Sequence, residues 1–461
     1  DMIDGDDGDW WVEVTDIISQ GEMPPPEEEE VALADGDRAK VVDWISQELL
    51  VASQSRRSEQ GHTSFRRLTR YETSYALQDL LGLPYDFARD LPPETESEDG
   101  FQNSSEMLQM TSSQFETYQE IAHTALLKAT VRGERPIPVQ YVITGASAEE
   151  NFLSSALKSI ENLKKKKDID SQTKLAKEEA RLWKPNKNGS HFINLATGRG
   201  FSTHSRYGRN SFRPLENLVG APSISDYVLA LPVNARQLID LGDFLPDSGT
   251  LRLRVRAWRS STDSPSDPDL RISFGYQPSN NSHTSFPVGK LTISATADRP
   301  KFYAMDIHLG EISRNAFRGR HPLGKGVPNP SEYLIFQNTH SGGSGGGIHI
   351  DCIEIIAPHY AQWPPKSHQQ VFATALNPEW NPREIISNFI CRAWRRPATE
   401  EELNGKVKLF NTIRPSCDDA QEAMIEVLAT VIASPNFLYI VQSPEPTNFE
   451  LATRLAMFLW S

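Results

Sequence analysis

"GTLRLRVRAW", Gly249–Trp258, decides the fold class of the middle of this 461-residue chain. Leu251, Leu253, Val255 and Ala257 alternate with Arg252, Arg254, Arg256 and Trp258. Successive strand side chains point to opposite faces, so a period of two gives one apolar face and one basic, aromatic face. Short alternating runs recur around it: "DYVLALPV", "LRISFGYQ", "GKLTISA", "KFYAMDIHL", "EYLIFQN" and "GIHIDCIEII". Gly, Pro, Asn and Ser separate them, and "GGSGGG" at 342–347 reads as a flexible loop before the last. The spacing reads as an antiparallel sandwich or barrel, taken here as a β-sandwich over 134–358, entered by the strand-like "PIPVQYVITGA". A lysine-rich helical pattern at 149–184, including "LKKKKD", reads as a solvated insertion.

The flanks read as helix. "TRYETSYALQDLLGLP" carries a Thr69/Glu72 capping box, a stripe of Ala76, Leu77, Leu80 and Leu81, then Gly82 and Pro84 as stop signals. Ser113 and Glu116 are expected to open the next helix, with Phe115, Tyr118, Ala122 and Leu126 inward. Residues 62–132 thus read as one α-helical domain, and the polar "LPPETESEDGFQNSSEM" as its internal loop. Residues 365–442 read as another: Pro397 precedes a Thr399/Glu402 capping box, an amphipathic helix spans 418–433, and "SPNF" breaks it. Thr447 and Glu450 cap a final run, 447–461, which reads as the start of a further helical domain. Residues 9–52 read as two short helices around a proline turn, the second presenting Val41, Trp44, Ile45 and Leu49, with Asp37 as its cap. The fold class is therefore multidomain α and β.

With 47 Lys and Arg against 61 Asp and Glu, the net charge is -14, which argues against a nucleic-acid partner. A hydrophobic content of 38% is ample for packed cores. No apolar run is long enough to cross a bilayer. The acidic start "DMIDGDDGDWW" carries no signal peptide, and "LATRLAMFLWS" carries no stop signal, so the chain reads as an internal fragment whose compartment is not encoded in its ends. Cys352, Cys391 and Cys417 form no CxxC; Cys391 and Cys417 read as two buried free thiols or as a disulfide pair.

Three features offer chemistry. In "QGEMPPPEEEE", Gln20–Glu30, the prolines stiffen the backbone around Met23, whose thioether is a soft ligand suited to haem iron or copper. The other reading makes Met23 the cap of a small core beside Trp10, Trp11 and Trp44. Arg252, Arg254, Arg256 and Trp258 form either an outer polar face, with the Trp packed on a loop, or a binding surface for anionic sugars. Arg66, Arg67 and Arg70, and then Arg392, Arg395 and Arg396, flank helix starts near glutamates, which suits structural ion pairing or the binding of a haem propionate or another domain. His349 and Asp351 alternate along one strand, a two-residue pattern weak for a metal. No GxSxG, HExxH, P-loop or GxGxxG context appears, and no carboxylate pair stands out for a hydrolase.

Taken together, these segments resemble the large multidomain planctomycete cytochrome c-like proteins, in which a haem domain precedes domains of undefined function. "ISQGEMPP" with "VVDWISQEL" is similar to the end of the cytochrome domain, 1–55 here. "RRLTRYE" through "DLLGL", "LPPE" and "GFQN" resembles the next domain. "IEIIAPHYAQWPPKSH" resembles the end of the central β module, which is carbohydrate-binding-like. "FICRAWRRPATEEE" and "LATVIASPNFLYI" resemble a following helical domain, and "FELATRLAMFLWS" the opening of one more. The resemblance implies that Met23 is an axial ligand of haem c in the intact protein. It also implies a periplasmic or extracellular location and electron transfer or oxidation linked to a polysaccharide or other surface substrate. Its haem-attaching CxxCH is not in this sequence, and Thr73 and Gln78 depart from its first helical motif. The alternative is a glycan-binding or surface-scaffold protein without redox activity.

Overall fold

The computed structural model describes residues 8–21, 23, 34–59, 64–94, 108, 110–165, 169–181, 185–202, 212–261, 266–279, 282–318, 331–341, 346–372, 381–443 and 446–460. The proline run after Met23, the polar loop from 95 to 107 and most of the GGSGGG loop lie outside them. The chain divides into a helical unit, 1–133 with 364–461, and a sandwich unit, 134–363.

The helical unit opens with α1 (Gly8–Gln20) and α2 (Asp35–Glu59). α2 begins two residues before Asp37, which is not its cap: the Asp37 and Arg38 amides donate to the Ala34 carbonyl, and the Asp37 carboxylate takes Lys40 instead. Of its expected apolar face Ile45 is buried, whereas Trp44 is exposed. The segment 62–132 is not helical throughout, because Ser64–Arg67 forms strand β1. α3 (Arg70–Leu81) has the expected ends: Thr69 Oγ1 accepts from the Glu72 amide, Glu72 Oε2 from the Thr69 amide at 2.8 Å, and Gly82 closes the helix at φ +68°. α4 (Ser112–Ala129) starts earlier than expected, since Thr111 and Gln114 make the capping box. That frame buries Tyr118, Ala122 and Leu126 but leaves Phe115 exposed.

The sandwich unit runs β2 (Val139–Thr144), α5 (Gly145–Lys164), α6 (Ile169–Arg181), β3 (His191–Asn194), β4 (Gly200–Phe201), β5 (Tyr227–Leu231), β6 (Arg236–Gly242) and β7 (Thr250–Arg259). It continues through β8 (Asp269–Ser279), β9 (Ser282–Thr292), β10 (Lys301–His308), β11 (Ser331–Asn338) and β12 (Ile348–Ala357). One sheet has the order β10-β7-β12-β5-β3-β4, with β2 on the far half of β12; the other is β6-β11-β8-β9. Every pairing is antiparallel. Leu251, Leu253 and Val255 of β7 meet Ile272, Phe274, Leu334 and Phe336 of the facing sheet in one core. Burying each such side chain contributes roughly 1.5–3 kcal/mol. β6 lies outside the expected strands, its alternation broken by the buried Asp240, whose carboxylate accepts from the Gly242 amide at 2.9 Å. β9 begins at Ser282, ahead of the expected Gly289. Pro287 lies within β9, an edge strand, where a missing amide hydrogen is tolerated.

The chain then returns to the helical unit with α7 (Lys366–Phe372), α8 (Pro382–Ala393), α9 (Glu400–Ile413), α10 (Ala420–Ile432), α11 (Pro435–Leu438), β13 (Tyr439–Gln442) and α12 (Asn448–Trp460). β13 pairs with β1 across the unit. Leu77, Leu81, Tyr118 and Leu126 share one core with Phe389, Ile390, Met424 and Leu428, so the two helical stretches 62–132 and 365–442 bury their apolar faces against each other.

Candidate functional site

Strand β7 fixes the first candidate. Its inner residues Leu251, Leu253, Val255 and Ala257 are wholly buried, which sends Arg252, Arg254, Arg256 and Trp258 to the other face. All four predicted residues thus share a face, and each guanidinium there meets a carboxylate. Arg252 lies opposite Asp306 and donates to it through Nε at 2.8 Å and Nη2 at 2.7 Å. Arg254 Nη1 donates to Glu354 at 2.7 Å. Arg256 donates to Asp351 through Nε at 2.8 Å and Nη2 at 2.7 Å. It also reaches the carbonyls of Pro222 at 2.8 Å and Ser223 at 2.9 Å, while the Ser225 amide donates to Asp351 at 3.0 Å. Phe302 lies beneath Arg254 and Arg256, at 4.3 and 5.2 Å from ring centroid to guanidinium.

The pair sites differ in burial. The Arg256 and Asp351 side chains are 8% and 0% exposed, whereas those of Arg252 and Asp306 are 36% and 37% exposed. The hydrogen bond to Asp351 raises the Arg256 pKa, and the hydrogen bond from Arg252 holds Asp306 below the ordinary carboxylate value. Arg256 with Asp351 is therefore an internal clasp that ties the 222–225 loop to the sheet. Trp258 is 4% exposed and packs edge-on to His349 at 6.0 Å, so it presents no open ring for stacking. Burial, with a smaller contribution from His191, pushes the His349 pKa down to about 4. A bulge between Ile350 and Cys352 interrupts the strand alternation at Asp351, which engages Arg256. Among the described residues no group of three or more His, Cys, Asp or Glu is placed to hold a metal. The cysteines are free thiols, Cys352 buried and Cys391 exposed.

The helical unit's arginines form the second candidate. Arg66 grips Glu72 through both oxygens at 2.7 Å, and Arg396 grips Glu402 at 2.8 and 3.0 Å. The Arg396 hydrogen bond is the main cause that holds Glu402 at about 2. Arg67 donates to Tyr118 Oη and to the Leu68 carbonyl, with Glu94 at 3.7 Å, and the Arg70 amide donates to Glu94 at 2.6 Å. Arg392 caps α3 from outside by donating to the Leu80 carbonyl, and it reaches Gln370 at 2.8 Å. Most of these groups join elements far apart in sequence. Arg395 is different: it sits at φ +58° just beyond α8, and no local signal in the sequence marks it.

Met23 is the third candidate. It follows α1 and Gly21, which adopts φ +77°, and its side chain is 52% exposed. Trp10 and Trp44 are exposed as well, so Met23 caps no core beside them. Trp10 instead stands edge-on to Trp11 at 5.2 Å. An exposed thioether suits an axial haem ligand, but the chain has no CxxCH, and its cysteines lie in β12, in α8 and just ahead of α10. The residues of this chain thus do not by themselves hold a c-type haem.

Two family models match, both described as proteins of unknown function: PSD3 (DUF1587) over residues 66–131 and PSD5 (DUF1595) over residues 382–442. These are planctomycete-type domains. They coincide with β1 to α4 and with α8 to β13, the two stretches that share the helical core. No curated protein matches the chain. Among solved structures, a family 16 carbohydrate binding module-2 aligns at 10% identity and a TM-score of 0.18, covering 29% of this chain and 78% of its own. The insecticidal delta-endotoxin Cry8Ea1 of Bacillus thuringiensis aligns at 16% identity and a TM-score of 0.18, covering 28% of this chain and 19% of its own. Scores this low carry no argument about fold or function.

Proposed function

We propose that this chain is part of an extracytoplasmic electron-transfer protein of the c-type haem class, with Met23 as the axial ligand. The observation that carries the reading is the half-exposed thioether of Met23, held just past the left-handed Gly21 at the end of α1 and packed into no core among the described residues. A methionine packed in a core would be sheltered from solvent, whereas the exposed thioether of Met23 is open to an iron. The two planctomycete-type domains support the same setting through the resemblance described for the sequence. The sandwich unit would recruit a surface substrate such as a polysaccharide. We place that contact away from β7, because its arginines already have carboxylate partners and Trp258 is covered.

The test uses the protein expressed from its whole reading frame. The oxidised wild type is expected to show a thioether–iron absorption band that Met23→Ala removes, with a lower midpoint potential. A spectrum unchanged by the substitution would reject Met23 as the ligand. A glycan array that finds no ligand for the whole protein would reject the recruiting role of the sandwich.

A further inference from the structure

Helix α12 turns its polar side inward and its apolar side to solvent. Glu450, Thr453, Arg454 and Met457 are half-buried, whereas Leu451, Leu455, Phe458 and Leu459 are exposed. The polar side is tied down: Glu450 accepts from the Ser443 hydroxyl at 2.6 Å and the Thr447 amide at 2.7 Å, and Arg454 Nη2 donates to the Ser443 carbonyl at 3.3 Å. A surface helix normally does the reverse, burying its apolar stripe and keeping its charges outside.

The outward stripe is large and uncharged. Leu451, Leu455, Phe458 and Leu459, with Phe449 at the helix start, are 50% to 82% exposed. At roughly 200 Å² for a large apolar side chain, they leave about 600 Å² open to water, the upper end of the largest patch on an ordinary monomer. The two ionisable residues of α12, Glu450 and Arg454, both lie on the inward side, so no charge interrupts the stripe.

Shape favours a second copy of the same surface as the occupant. On the Ala452 and Ala456 flank of α12 lies a cleft of about 1020 Å³, walled also by Tyr75, Ala76 and Ala393. On the Glu450 flank lies another of about 880 Å³, walled by Phe65, Tyr439 and Val441. The alanines leave depth for a large side chain. A ridge with grooves alongside is complementary to itself under a two-fold rotation, the ridge of each copy entering a groove of the other. Two copies would bury about 1,200 Å² from the ridge side chains alone, the lower limit of a specific, stable interface, before the cleft walls are counted. A membrane surface is the poorer occupant. An interfacial helix carries Lys and Arg on its polar face toward the headgroups, and the one Arg of α12 is turned onto its own unit.

We propose that α12 is the contact of a symmetric homodimer, its two copies packed antiparallel, with Leu455 and Leu459 of each in the cleft beside Ala452 and Ala456 of the other. The inference does not depend on the haem reading. Sedimentation velocity of the 461-residue chain over a concentration series tests it. The wild type is expected to dimerise with a dissociation constant on the order of micromolar. Leu455→Glu is expected to weaken the dimer at least roughly a hundredfold, because two-fold symmetry buries the unpaired carboxylate twice. Leu455 is exposed within one copy, so the variant should keep the wild-type unfolding temperature at a dilution where both are monomers. Leu218→Glu, at an exposed leucine of the sandwich unit, should leave the dimer unchanged. The proposal is overturned if the wild type stays monomeric at roughly 100 μM, or if Leu455→Glu dimerises like the wild type. It is also overturned if protein from the whole reading frame does not self-associate, which would leave the stripe to another part of its own chain. Co-sedimentation of a monomeric wild type with phosphatidylcholine–phosphatidylglycerol vesicles, lost in Leu455→Glu, would overturn it in favour of a membrane surface.

Discussion

Replacing Arg256 with alanine should unfold the sandwich unit far more readily than replacing Arg252, although the two arginines lie on one strand and one face. Arg256→Ala strands the Asp351 carboxylate, whose side chain is 0% exposed, with only the Ser225 amide, at 3.0 Å, as a donor among the described residues. It also releases the carbonyls of Pro222 and Ser223. Removing one partner of a buried ion pair costs about 3–5 kcal/mol. Arg252→Ala breaks an equally short pair, but both side chains there are more than a third exposed, and such pairs contribute about 0–1 kcal/mol. At roughly 2–4 °C per kcal/mol for a domain of this size, Arg256→Ala should lower the sandwich transition by about 6–20 °C and Arg252→Ala by about 4 °C or less. Calorimetry of the whole chain separates the transitions, and urea avoids the ionic screening that guanidinium would add. The double change Arg256→Met with Asp351→Leu should recover much of the loss, because no charge is then left unpaired. The reasoning fails if Arg256→Ala costs no more than Arg252→Ala; the arginine face would then be free to bind.

In the shared helical core, Leu428→Ala should cost about 2–5 kcal/mol by urea unfolding, since Leu428 is wholly buried. Thr399→Ala should cost about 1 kcal/mol by removing the acceptor of the Glu402 amide, measured in the same way. The stability contributed by Glu402 should be intact above pH 4.5 and fall away as the pH drops toward about 2, its folded value, and Arg396→Gln should flatten that slope. His349 acts in a higher window. Its folded pKa of about 4 lies below the ordinary 6.5, so the unfolded chain binds more protons between them; the sandwich unit should lose stability from pH 6.5 down to 4, and His349→Gln should lessen the loss.

What the sequence made legible was local. The alternation of Leu251 through Trp258 gave β7 and both its faces, and Thr69, Glu72 and Gly82 marked both ends of α3. What it did not reveal was carried by distant partners. Asp306, Glu354 and Asp351 lie 54 to 100 residues from the arginines they neutralise, so the alternation could show a basic face but not that it is already paired. β1 became a strand because β13, far along the chain, supplied its ladder. The bulge at Asp351 and the left-handed turn at Arg395 are backbone choices, and neither residue type announces them. Arg395 in particular was legible only as one basic residue among several; the clefts beside it appear only once α3, α8, α11 and α12 are assembled.

The electron-transfer reading stands or falls on covalent haem. Mass spectrometry of the denatured protein, produced from its whole reading frame in a host that matures c-type cytochromes, measures this directly. The account predicts a haem that remains attached after denaturation. A protein that folds yet carries no attached haem would contradict it, and Met23 would then be an exposed methionine and nothing more.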